Sequence, residues 1–222
     1  MKNKLFKILN YIVIICMTLT LFYGTYGVCA EERERKNNAL EKLESATTIT
    51  VKEKLFTLNE SYDIYADNEK VATVKGKYIA LTGDVFTLTD LNGNKIASEK
   101  QIKRWNIKLN RLAEVFDSSG KTTGFIGEKV LKDLFKFGTT FHFFDINKNE
   151  IAECREDVFN FLYKFNIKDN HGTKLYTINQ KLSLASKFEI DVLKNDSAVS
   201  VIDAIFVTCI MNEIRQAKEK SK

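Results

Sequence analysis

A chain of 222 residues, 44% apolar and 11% aromatic, is long enough to bury one sizeable core, and one domain is the default reading. The formal charge of +5 overstates its basicity: Lys2, Lys4 and Lys7 precede any acid, and without them 31 basic side chains face 29 acidic ones. That near-balance excludes an electrostatic case for nucleic acid as a partner. Two histidines and no Cys-x-x-Cys pair exclude a zinc site or a disulfide framework, and no cofactor is expected.

Residues 1–30 read as a signal peptide or an N-terminal membrane anchor. A short basic start is followed by 23 uncharged residues from Ile8 to Ala30. Small Val28 and Ala30 stand before Glu31-Glu32, which fits cleavage after Ala30. An uncharged run of that length can equally span a bilayer uncleaved. In both cases the three lysines stay inside and the body is expected to be secreted or extracytoplasmic, tethered if the leader remains. Residues 31–47, opening Glu31-Glu32-Arg33-Glu34-Arg35-Lys36, read as a charged, solvated tether.

From residue 48 one phrase recurs. A strand such as Tyr62-x-Ile64, Phe86-x-Leu88, Val115-Phe116, Phe141-x-Phe143 or Phe165-x-Ile167 runs into an Asp/Asn/Gly turn, and a second strand leaves it. The turn aspartates fall at 67, 90, 117, 145 and 169. Aspartate and asparagine close such turns through side-chain bonds to the backbone, and glycine supplies positive φ. With an opening strand over Ile49–Leu58 and a closing one over Phe188–Leu193, about twelve strands are expected by short-strand spacing. A meander of this length removes its edges by closing, and a ring that wide needs something to fill it.

The filler follows the strands. From Ala198 to Met211 only Ser200, Asp203 and Thr208 are polar, and at 100° per residue the apolar side chains point all round. Such a helix must be enclosed; at roughly 20 Å it is short of a ~30 Å bilayer core. The predicted fold is therefore a closed antiparallel barrel of about twelve strands around a buried C-terminal helix, over residues 48–217, with a basic tail at 218–222. Cys154 on a strand and Cys209 on the helix could pair as one disulfide or pack as two buried thiols.

The runs Thr50-Val51-Lys52-Glu53-Lys54-Leu55-Phe56-Thr57-Leu58, Tyr62-Asp63-Ile64-Tyr65, Val74-Lys75-Gly76-Lys77 and Phe86-Thr87-Leu88-Thr89-Asp90-Leu91-Asn92-Gly93 resemble the LURP-one-related proteins of the tubby C-terminal-like superfamily, with phospholipid scramblases as relatives. The resemblance covers roughly Ile49 to Gln216. It implies the same barrel around a C-terminal helix. It also implies membrane-associated roles, since tubby proteins bind phosphoinositides and scramblase relatives act at membranes. It carries no lipid-binding residue onto a named position, and an export leader departs from the family's intracellular setting.

Among candidate sites, Lys52, Lys54, Lys75, Lys77, Lys103 and Arg104, with Lys100 beside them, could form a basic patch for an anionic headgroup if neighbouring strands align, because Lys52 and Lys54 share a face, as do Lys75 and Lys77. The alternative is a row of lysines that keeps a strand surface soluble. Asp90-x-Asn92-x-Asn94 and Asp145-x-Asn147-x-Asn149 look like the start of a calcium loop, yet turn chemistry alone explains them, and no metal is expected. His142, between Phe141 and Phe143, reads as structural; His171 sits at a turn tip; Trp105 reads as core. Asp203 is expected either to reach the barrel's mouth or to bond a strand group.

The function expected is non-enzymatic binding at a membrane surface, with a lipid headgroup or a surface protein as ligand. The alternatives are a hydrolase using His142, which needs a pocket and converging acids, and a purely structural surface protein. An outer-membrane barrel would lack an apolar plug.

Overall fold

The computed structural model describes residues 38–55, 60–77, 85–102, 109–129, 140–157, 162–194 and 198–220. Twelve strands stand among them: β1 (Thr48–Glu53), β2 (Ser61–Ala66), β3 (Glu69–Lys77), β4 (Val85–Asp90), β5 (Lys95–Gln101), β6 (Leu109–Asp117), β7 (Thr122–Lys129), β8 (Thr140–Phe144), β9 (Glu150–Glu156), β10 (Lys164–Asp169), β11 (Lys174–Lys181) and β12 (Lys187–Val192). A helix α1 occupies residues 38–45 and a helix α2 Val201–Lys220. Each strand pairs antiparallel with the next, and β12 returns to β1, with Ile190 opposite Ile49 and Phe188 opposite Val51. The ring is closed, so no edge is left to template aggregation.

The alternation within each strand decides what enters the ring. Ile49 and Val51, Tyr62 and Ile64, Phe86 and Leu88, Phe141 and Phe143, Phe165 and Ile167, Tyr176 and Ile178, and Phe188 and Ile190 all point inward and are buried. Against them lie Ala204, Ile205, Phe206, Val207, Cys209 and Ile210 of α2, every one at 7% exposure or less. Burial of a side chain of this size is worth roughly 1.5–3 kcal/mol, so the helix that the lumen requires is also what stabilises the wall. Its buried Thr208 hydroxyl donates to the Ala204 carbonyl at 2.7 Å, leaving no polar group unsatisfied there. Tyr176 Oη donates to the Val199 carbonyl at 2.9 Å and fixes where the chain enters the lumen.

Three features of the coordinates bear on these readings. First, Asp203 bonds no strand group; it lies half-buried in the first turn of α2, at the end where the chain enters the barrel, and α2 begins at Val201, which makes Ser200 its cap. Asp203 N–H donates to Ser200 Oγ at 3.2 Å, while Ser200 N–H and Oγ–H donate to Asp203 Oδ2 at 3.0 and 2.8 Å. This reciprocal cap satisfies groups a helix end otherwise leaves orphaned. Burial pushes the Asp203 carboxyl up, against the pull of the two Ser200 bonds. Secondly, the tether is not solvated throughout, because α1 places Leu43 and Ala39 in the core, at 0% and 8% exposure. The compact unit runs from Ala39 to Lys222 and holds the whole described core, so it carries what a domain needs to fold by itself. Thirdly, one outward patch is apolar: Leu112, Phe125 and Phe144 form a separate buried cluster on the outer side of β6, β7 and β8. Cys154 and Cys209 are free and buried, and burial pushes both thiols up. Among the described residues no helix is long and apolar enough to cross a membrane. The leader, residues 1–30, lies outside them.

Candidate functional site

Because the meander alternates, the barrel has two unlike ends. The five aspartate turns all lie at one, called here the turn end. Four share one geometry: an aspartate Oδ1 accepts N–H groups two and four residues on, at 2.8–3.0 Å for Asp90, Asp117, Asp145 and Asp169. The residue three after each has positive φ: Gly93, Gly120, Gly172 and, alone without glycine, Lys148 at 67°. The resemblance of Asp90 and Asp145 to calcium ligands is thus turn chemistry, with each carboxylate also accepting from the Asn94 or Asn149 side chain. Asp67 differs. Its turn is the two-residue Asp67-Asn68 with φ of 45° and 73°, and its carboxylate reaches back to Thr47 and Thr48.

The other end, the far end, receives the C-terminal turns of α2. Asn212 Nδ2 donates to Tyr62 Oη at 3.1 Å and to Glu53 Oε2 at 3.2 Å. Gln216 Nε2 donates to the same Glu53 carboxylate at 2.9 Å. Arg215 Nη2 donates to Ser186 Oγ at 2.7 Å, and its guanidinium lies 5.7 Å from the Tyr163 ring centroid. Arg111 faces Glu213 at 3.6 Å beside a cavity of about 20 Å³ lined by Glu99, Glu128 and Phe141 among others. That volume admits a water molecule and not an organic substrate.

Lysines occupy the outside of this same end. Lys52 stands opposite Lys187 across the β1–β12 closure, and Lys187 stands opposite Lys181. Lys75 lies opposite Ser61 and Thr87, while Lys77 and Lys100 flank Val85 from its two sides. Lys54, one residue past β1, donates its N–H to the Ser61 carbonyl. The structure therefore brings Lys52, Lys54, Lys75 and Lys77 onto one outer face; Lys103, Arg104 and Trp105 lie outside the described residues. Lys54 is partly committed, since Asp63 binds it at 3.1 Å and Lys70 at 2.8 Å. Burial of Asp63 is outweighed by these two ammonium groups, which hold its carboxyl below the usual range. Lys181 pairs with Glu189 at 2.8 Å. Among the described residues Lys52, Lys75, Lys77 and Lys187 make no ion pair.

Lys181 and Lys187 escaped the sequence reading. They become neighbours of Lys52 only because the ring closes, and spacing along the chain does not carry that information. His142 is buried on the outer side of β8, 4% exposed, with Nδ1 2.6 Å from Glu150 Oε1. The cavity above is lined from the lumen by Phe141, the residue before it, and does not involve the imidazole. The pair is a polar tie between β8 and β9.

No curated protein matches the chain. Residues 47–129, which run from the end of α1 through β7, match the LURP-one-related family. A closed barrel plugged by a helix is consistent with the tubby-like superfamily to which that family is placed. It is over these residues, the first seven strands of the barrel, that the chain is similar to the LURP-one-related family.

Proposed function

We propose that this barrel is a non-enzymatic binding module whose far end docks on a membrane surface, with anionic phospholipid headgroups as its ligand. The family and fold support a lipid- or protein-binding role. The choice of lipid rests on one observation: Lys52, Lys75, Lys77 and Lys187 stand together on one outer face without ion-pair partners among the described residues, while Asp63 and Glu189 are occupied by Lys54, Lys70 and Lys181. Each lysine held near an anionic surface contributes about 1 kcal/mol, and salt screens that attraction within a Debye length of about 8–10 Å. The leader supports placing the module outside the cytoplasm, as an expected extracytoplasmic protein, and N-terminal sequencing of exported material should start near Glu31.

The test is cosedimentation of residues 39–222 with phosphatidylcholine vesicles, with and without phosphatidylserine. Binding should require phosphatidylserine, weaken with salt, and fall about tenfold or more in Lys52→Glu/Lys187→Glu. Equal behaviour on both vesicle types would overturn the lipid reading and leave a protein ligand.

A further inference from the structure

The hairpin between β11 and β12 carries the most exposed apolar side chains among the described residues. Leu182 is 85% and Leu184 99% exposed, and Leu55, at 52%, follows β1 on the adjoining strand pair. A single leucine in water is ordinary. Two almost fully bare leucines at one loop tip are not accounted for by packing, because they touch little of the protein.

The base of that hairpin is held firmly. Glu53 N–H donates to the Ser186 carbonyl at 2.8 Å, and Arg215 clamps the Ser186 hydroxyl from α2. Gln180 N–H donates to the Tyr163 carbonyl at 2.8 Å, and the Tyr163 ring stacks on Phe165 with centroids 6.4 Å apart. Ala185, 8% exposed, tucks beneath the tip. The leucines therefore project from a braced loop, so little ordering entropy remains to be lost when they are covered.

Their surroundings choose the occupant. Lys181 and Lys187 bound the loop on its two strands, and Lys52 stands opposite Lys187. Lys181 is balanced by Glu189, but a second copy docking by the same patch would bring two sets of Lys52 and Lys187 into one interface, a repulsive arrangement. An anionic bilayer instead meets them with phosphates while receiving the leucines in the acyl region. We infer that the Leu182–Leu184 tip, with Leu55, inserts into the headgroup–acyl boundary of an anionic phospholipid bilayer. The inference rests on the membrane-docking reading above and adds that contact is not electrostatic alone. Depth is limited to that boundary, since loop backbone cannot leave its polar groups unbonded in the hydrocarbon.

Cys154 and Cys209 are buried, so Leu184→Cys in residues 39–222 would present a reactive thiol at the surface for an environment-sensitive fluorophore. Leu91→Cys, at a turn tip 58% exposed, is the control at the opposite end. On phosphatidylserine-containing vesicles the label at 184 should shift to the blue and brighten, and the label at 91 should not. Leu182→Ser/Leu184→Ser, with an unchanged circular dichroism spectrum, should bind these vesicles about tenfold more weakly and lose its salt-resistant fraction. Insertion is overturned, and the docking reading kept, when the wild-type unit binds but the label at 184 stays aqueous and the double variant binds equally. It is overturned in favour of a second copy when the double variant converts a dimer to a monomer in sedimentation without changing vesicle binding. Failure of the wild-type unit to bind any anionic vesicle removes the docking reading and the insertion with it.

Discussion

The two ends of this barrel are made by different physics. At the turn end four of the five hairpins are closed by their own aspartate, through bonds that span two and four residues. At the far end the contacts join residues far apart in the chain: Glu53 to Gln216, Tyr62 to Asn212, Lys52 to Lys187. Local closure yields blunt, repetitive turns, which serve to hold the register. Non-local closure yields a surface that no single segment contains, with a lysine face outside and a polar clamp from α2 within. The end that needs the whole fold to exist is the one proposed to meet a membrane.

The largest expected effect would erase the distinction. Phe206 lies at 0% exposure in the second turn of α2, and Phe206→Ala should cost about 3–5 kcal/mol, read as a lower urea midpoint, because the helix supports the wall. A loss below about 1 kcal/mol would mean the lumen repacks and the plug is not what holds the ring. Asn212→Ala acts at the far end alone. It removes the donor to the buried Tyr62 hydroxyl and to Glu53, and should cost about 1–3 kcal/mol in thermal denaturation, with turn-end amide protection unchanged.

Acid should act on the opposite side. The Ser119 side chain and the Lys121 N–H hold Asp117 below the ordinary carboxylate range, and the Asn149 side chain and N–H do the same for Asp145. For Asp169 burial is the largest single influence, and the Thr173 and His171 N–H groups together outweigh it; the Thr47 hydroxyl leads for Asp67. A carboxyl more acidic folded than unfolded contributes stability above its unfolded value, about 3.9, and loses it as pH falls through the folded one. The turn end should therefore lose protection first below about pH 4. Asp145→Asn should lower stability at neutral pH and flatten that acid dependence; an unaltered acid limb would detach the turns from it. Asp203 has the reverse sign, because burial raises its carboxyl: its contribution is present below the unfolded value and is lost as pH rises through the raised one. The smallest effect concerns Lys148, the non-glycine at positive φ in the shared turn. Lys148→Gly should gain about 0.5–1 kcal/mol by relieving a left-handed conformation, seen as a higher melting temperature.

How much could be read from the chain follows the same division. The turn aspartates, the alternating strands and the apolar helix are short-range signals, and they carried the barrel and its plug. Lys52 and Lys75 were visible as outward lysines, but Lys181 and Lys187 joined them only through the β12–β1 pairing. Leu182 and Leu184 carried no signal of their own, since exposure depends on which loop projects. Of the two positions open to Asp203, the strand partner is not the one found; the carboxylate stands in the first turn of α2, and the Ser200-x-x-Asp203 spacing held the cap signal. Leu112, Phe125 and Phe144 broke the rule that an outward face is polar, and Leu43 entered the core from a segment whose charge masked it.

Amide hydrogen exchange of residues 39–222, with and without phosphatidylserine-containing vesicles, compares the two ends in one measurement. The expected result is slower exchange in residues 181–187 and 52–55, with the tips at 67–68, 91–93, 118–120, 146–148 and 170–172 unchanged. Slowing at those tips instead, or no slowing anywhere, would contradict membrane docking by the far end.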